Sequence, residues 1–274
     1  MYADWLIPDW PAPSNVKAVF TTRNGGLSAA PWDSLNLGDH VGDEPGHVHA
    51  NRAALQLAQG MRAVFLRQVH GNGVLALDAA SADGAEADAC ITGQPKLACT
   101  IMVADCLPVL LAATDGTVVA AAHAGWRGLA GTAAQGYKGV LETVFASFSA
   151  SFGAAAQQGQ ARPAIKTVAW LGPCIGPEAF EVGAEVKAAF EASQPGATKF
   201  FVSAGQGKYL ADLAGLARQR LQALGITEVY GNDGSAPWCT ARNPEKFFSH
   251  RRDAGANGNG LNTTGRMAAC IWIG

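Results

Sequence analysis

The stretch CTIMVADCLPVLLAATDGTVVAAAHAGWRG, residues 99–128, decides the fold class. Two short apolar runs in it, 99–103 and 117–122, have the length and composition of buried β-strands. Each runs out into a turn with a polar side chain, Asp105-Cys106 after the first and His123 after the second. The turn Gly125-Trp126-Arg127-Gly128 then opens a good helix former, 129–148. Working outward, further strands are predicted at 16–22, 63–69, 167–171, 228–230, 246–249 and 267–273. Helices are predicted at 51–59, 178–192 and 209–224, the last two by their amphipathic spacing. Strands mixed irregularly with helices predict a single-domain mixed α/β sandwich over residues 1–274. A helix end followed by a surface loop is expected at 149–162, rich in Ala, Gln and Gly, and a second loop at 253–262, where Gly and Asn alternate.

The bulk composition bounds the function. Apolar residues make up 49% and charged residues 15% of the 274, which suits a large buried core and rules out a disordered chain. The net charge of −2, with no basic stripe, gives no support to a nucleic-acid partner. No apolar run is long enough to cross a bilayer, so no membrane partner is expected. The start Met1-Tyr2-Ala3-Asp4-Trp5 lacks the pattern of a signal peptide, and the expected location is the cytoplasm. Six scattered cysteines in such a chain read as reduced core residues or ligands rather than disulfides. A G-x-G-x-x-G after the first strand and a Walker A loop are both missing.

Three residues stand where apolar strands end: His70 after 63–69, Cys106 after 99–103 and His123 after 117–122. In α/β folds, strand ends are where reactive groups gather. Two imidazoles and a thiolate suit zinc and leave a fourth position for water or substrate. Each also has a plainer reading, the cysteine as a small core residue and the histidines as inert hydrogen-bonded side chains. Spacing alone does not choose, because H-E-x-x-H and paired C-x-x-C are absent.

Longer motifs extend the pattern: TTRNGGLS (21–28), LNLG (35–38), HVGD (40–43), Asn51-Arg52, QVHG (68–71), ADCLP (104–108), HAGWRG (123–128), LGPCIG (171–176) and SHRRD (249–253). In these the chain resembles a family first described as multicopper polyphenol oxidases, or laccase-domain proteins. Its members are now described as purine nucleoside phosphorylases, and some as peptidoglycan editing factors. The resemblance runs from about residue 17 to the C-terminus. It implies a metal triad on His70, Cys106 and His123, which would also be the catalytic centre, and a mixed α/β sandwich. It implies phosphorolysis of adenosine, inosine, guanosine and methylthioadenosine, with deamination of adenosine. The cofactor implied is Zn2+, with Cu2+ as an alternative, and the partners are purine nucleosides and phosphate. Protein partners stay unknown.

Within these motifs Arg23, Asn36, Arg52 and Arg127 are candidate substrate contacts. A guanidinium presents a planar fork of donors to phosphate. Asn36 and Arg52 serve equally as braces for the first helix, and Asp105 as a proton shuttle or as a group that orients one of the ligands. His47 and His49 read as turn residues rather than a second metal site. A multicopper oxidase needs many histidines for its trinuclear cluster, and the chain has six. A non-enzymatic quality-control role on peptidoglycan precursors, with a structural zinc, would call for four protein ligands.

Overall fold

In the computed structural model the 99–128 stretch forms three strands where the sequence predicts two. The structure describes residues 4–156, 166–253 and 263–274. In chain order the first half gives β1 (Val16–Phe20), α1 (Pro45–Gln59), β2 (Arg62–Phe65), β3 (Val74–Ala76), β4 (Ala89–Thr92), β5 (Leu97–Val103), β6 (Leu107–Ala113) and β7 (Val119–Ala124). The second half gives α2 (Trp126–Ala130), α3 (Val140–Ala156), β8 (Thr167–Leu171), β9 (Glu181–Gly183), α4 (Ala184–Ser193), β10 (Phe201–Gly205), β11 (Lys208–Ala211), α5 (Leu213–Ala223), β12 (Glu228–Gly231), α6 (His250–Asp253) and β13 (Met267–Ile273).

The fold is a mixed α/β sandwich. One sheet has the order β1-β13-β5-β2, the second β12-β8-β6-β7-β4-β3, and a small third β10-β11-β9. The two larger sheets share a core in which Phe20, Ile101 and Ile271 of the first meet Leu110, Val168 and Trp170 of the second. Behind the first sheet, Leu55 of α1 packs with Phe65 and Met102. Behind the second, Val144 and Phe148 of α3 and Leu216 and Leu221 of α5 cover β6 and β7. Burying each such side chain contributes about 1.5–3 kcal/mol.

The central strands are covered on both faces. On β6, Leu107, Val109 and Leu111 face the helices while Leu110 and Ala112 face the other sheet. Such strands read as unbroken apolar runs rather than as alternation. The same two-residue period on β7 sends Ala120, Ala122 and Ala124 toward the helices and Val119 and Ala121 between the sheets. His123 shares the inter-sheet parity and is 3% exposed. It therefore lies inside the strand, not after it.

Other sequence expectations shift for local reasons. The expected helix 129–148 breaks into α2 and α3, because Gly131 and Gly136 adopt positive φ and the chain turns between them. The helices expected at 178–192 and 209–224 each begin as a strand, β9 and β11, and start only at Ala184 and Leu213. Asp212 caps the second, accepting from Gly215 N at 2.8 Å. The helix expected at 51–59 starts earlier, at Pro45, whose fixed φ suits a first turn. No strand forms at 246–249, where Phe247 and Phe248 instead plug the inter-sheet core beside α6. The helix end expected from 149 is the last part of α3, which runs to Ala156, Asp253 closes α6, and 157–162 and 254–262 lie outside the described residues. All six cysteines are free. Among the described residues no helix is long and apolar enough to cross a membrane.

Candidate metal centre and its cavity

The ligand atoms of His70, Cys106 and His123 lie within 4.8 Å of one another, and no other such group occurs among the described residues. Topology brings them together. His70 lies on the connection from β2 to β3, and Cys106 on the short turn from β5 to β6. Both connections pass from the four-stranded sheet to the six-stranded one, and His123 sits on β7 beside Pro108 of β6.

One carboxylate organises two of the three. Asp88, fully buried, accepts His123 Nδ1 at 2.9 Å and the backbone amides of Val69, His70 and Gly71 at 3.2, 2.9 and 2.7 Å. Its own carbonyl accepts His123 N at 2.7 Å. These bonds hold His70 at φ 60°, a left-handed conformation that costs a side-chain-bearing residue on the order of 1–3 kcal/mol. They also commit Nδ1 of His123, leaving Nε2 as its metal donor.

The Cys106 turn is fixed in a similar way. Asp105, at φ 87°, accepts Thr240 Oγ1 at 2.5 Å and Arg251 N at 2.6 Å, and its carbonyl accepts Ile175 N at 2.9 Å. Both carboxylate oxygens are thereby occupied, so Asp105 braces the turn. Gly125 lets the three side chains converge. A Cβ there would stand 2.7 Å from His70 Cδ2 and 3.1 Å from Cys106 Sγ. A Cβ on Gly128 would meet the Gly71 carbonyl at 2.5 Å, which explains both glycines of the HAGWRG motif.

The donor set fits a metal in chemistry as well as spacing. Burial alone would raise the Cys106 thiol, but the charge and hydrogen bonds of His123 and His70 outweigh it and bring the pKa down to about 6. Burial would lower His123, yet Cys106 and Asp88 push it up to about 9. In metal-free protein, iodoacetamide labelling of Cys106 should therefore rise through a midpoint near pH 6 and fall away below it as the thiolate is protonated. Cys99, Cys174 and Cys270 are buried with raised pKa values and should stay silent. Mass-spectrometric labelling across pH checks this, and a midpoint at the ordinary thiol value of about 8.5 would contradict it.

A cavity of about 350 Å³ opens over the three ligands, within the range of small-molecule sites. Val103, Ile175 and Phe180 supply apolar wall, and His40, Gln68, His250, Arg251 and Arg266 supply polar groups. None of the four expected substrate contacts lines it. Arg23 binds the carbonyls of Asp33 and Pro244 and pairs with Asp33. Arg52 pairs with Asp39 and Asp83 and stacks on Phe65. Arg127 is exposed and lies over Trp126. Asn36 is fully buried and braces the backbone beside the cavity, donating to Asp43 and Gly38 and accepting from Gly38 N and Arg266 N. Sequence reading missed Asp88 and Arg266. Each stands immediately before an apolar strand, β4 and β13, a position that marks a sheet end but names no partner.

The chain is matched over residues 17–274 by a family model described as multi-copper polyphenol oxidoreductase laccase, and it belongs to that family. It is 45% identical over 270 residues, 98% of each chain, to a protein of Pseudomonas aeruginosa named purine nucleoside phosphorylase. It is 44% identical, again over 98% of each chain, to the purine nucleoside phosphorylase YfiH of Escherichia coli. The crystal structure of a Neisseria meningitidis protein, 43% identical, superposes with a TM-score of 0.83 over 98% of this chain and 99% of that one. The structure of YlmD from Geobacillus stearothermophilus, 27% identical, gives 0.80 over 100% and 97%.

Proposed function

We propose that residues 1–274 form a single-domain, zinc-dependent purine nucleoside phosphorylase that converts adenosine, inosine, guanosine or methylthioadenosine, with phosphate, to the base and the sugar 1-phosphate. Adenosine deamination is a second reaction of the same site. The observation that carries the reading is the convergence of two imidazoles and a thiolate within 4.8 Å beneath a cavity of about 350 Å³. The names of relatives at 44–45% identity over nearly the whole chain point the same way. Free cysteines accord with a cytoplasmic location.

His70, Cys106 and His123 would hold the metal, which when bound supplies a Lewis acid beside the substrate. In phosphorolysis a phosphate oxygen bonds to C1′ as the C1′–N bond breaks. The electron pair leaves on the base nitrogen, which then takes a proton. The chain's own part is to orient the reactants and exclude water. Val103, Ile175 and Phe180 shelter the apolar side of the cavity. Asp88 keeps the His123 ring aligned, and the Asp105 turn holds Cys106 at its depth.

The test pairs metal analysis with chromatography of the products from the four nucleosides, with and without phosphate. About one zinc per chain and phosphate-dependent release of free base are expected, with little turnover of phenols after copper loading. The family description makes phenol oxidation the rival reading. Six histidines fall short of a blue-copper site plus a trinuclear cluster. Robust phenol turnover with several coppers bound per chain, and no base released, would overturn the proposal.

A further inference from the structure

The cavity carries more positive charge than a chain of net charge −2 would suggest. Arg266 and Arg251 both line it, and among the described residues neither has a carboxylate within ion-pairing distance. By contrast, Arg23, Arg52, Arg67, Arg220, Arg242 and Arg252 all pair with acids. Asp105 is the one acid lining the cavity, and both its oxygens already accept hydrogen bonds.

Arg266 is held as a positioned group. It directly precedes Met267, which pairs with Val103, so it emerges beside the turn that carries Cys106. Its backbone amide donates to Asn36 Oδ1 at 2.9 Å. One guanidinium nitrogen, Nη1, donates to the Thr264 and Gly265 carbonyls. Among the described residues Nε and Nη2 have no acceptor, and neither is sealed from solvent. The side-chain stem crosses Gly38, where a Cβ would stand 2.7 Å from Arg266 Cγ. The LNLG motif is thereby explained: Asn36 pins the backbone of Arg266, and Gly38 leaves room for its stem. A guanidinium with two donors free, in a cavity whose one carboxylate, Asp105, already accepts a hydrogen bond on each oxygen, is built to receive an oxyanion.

We propose that Arg266, with Arg251 at the rim, binds inorganic phosphate beside the metal ligands, and that Asn36 and Gly38 are positioning residues for Arg266. The proposal rests on the phosphorylase reading for its choice of oxyanion, but binding is measured without turnover. Inorganic phosphate is titrated calorimetrically into the metal-loaded chain and its variants, with a nucleoside 5′-monophosphate as competitor. Arg266→Gln should weaken phosphate about ten- to a hundredfold, as expected for losing a charge-assisted pair. Arg266→Lys should recover part of that loss. Gly38→Ala should weaken phosphate with metal content unchanged and, in turnover, raise the KM for phosphate more than it lowers kcat. Should Arg266→Gln fail to fold, Arg251→Gln, whose side chain is exposed, carries the test with a smaller expected loss. Wild-type phosphate affinity in every folded variant overturns the proposal. So does a monophosphate that displaces phosphate and binds far more tightly through the same arginines, since the anion would then belong to the nucleotide. Phosphate binding that depends on Arg266 in a chain that cleaves no nucleoside would keep the anion site and sink the phosphorylase reading.

Discussion

Cys106→Ala is expected to drop bound zinc from about one per chain to near zero and to remove nucleoside cleavage with it. The thiolate would be the one anionic ligand of the three, and its pKa of about 6, lowered by His123 and His70, leaves it charged at neutral pH. Structural zinc in zinc-finger peptides is worth roughly 10–16 kcal/mol over its four ligands, and on that scale losing one of three ligands here should cost about a hundredfold or more in affinity. The fold should survive. Cys106 is only partly buried, and its turn is held by Asp105 through Thr240, Arg251 and Ile175 rather than by the sulfur. Elemental analysis beside a melting curve of the metal-free forms checks both halves. Full zinc occupancy in the folded variant would remove Cys106 from the ligand set.

Asp88→Ala should produce the largest loss of stability. It strands three backbone amides and the His123 ring around a fully buried position. Each buried donor left without a partner costs about 1–3 kcal/mol, so several kcal/mol should go. Asp88→Asn keeps an acceptor and should fold, but its amide cannot receive Nδ1–H and the amides together, and metal affinity should fall about ten- to a hundredfold. Acid adds a signature. Burial alone would raise the Asp88 carboxyl, yet the His123 bond and charge, with the amides of Gly71 and Val69, hold it below the ordinary value. A depressed carboxyl stabilises the fold above its unfolded pKa of about 3.9 and loses that contribution as pH falls through the folded value. Urea unfolding of the metal-free chain between pH 3 and 7 should show this loss at the acid end, and Asp88→Asn should flatten it. Equal acid slopes in the two chains would show that Asp88 is not the group responsible.

Strand ends alone left His70, Cys106 and His123 open between ligands and plain core residues, and the family resemblance grouped them, whereas the fold class was legible in the sequence because apolar runs of strand length are mixed with helix formers. β6 was not, although it is the middle of the larger sheet. Pro108 at its second position breaks the look of a central strand, and burial on both faces erases alternation. Pro108 withholds no bond from β7, because its pair with His123 is not hydrogen-bonded: the Pro108 carbonyl accepts Gly172 N on one side and His123 N donates to the Asp88 carbonyl on the other. The expected substrate arginines lie away from the cavity lining for a different reason. Glycine-rich turns suggested Arg23 and Arg127, but only the tertiary register shows that Arg23 pairs with Asp33 and that Arg127 lies exposed over Trp126, away from the cavity lining. Arg266 is 160 residues from Cys106 in the chain, and nothing short of the β13–β5 pairing brings them together.

Two of the three ligands ride on the connections by which the chain crosses from one large sheet to the other, and the third is anchored in the far sheet. An ion gripped there is a rivet through both layers. Its binding free energy is then credited to the packing of sheet on sheet, and the layers cannot slide without loosening the grip. Chelation should accordingly soften the whole sandwich, speeding hydrogen exchange in β5 and β7 as well as at the ligands, and the melting temperature should track free metal concentration rather than a local change at the cavity mouth.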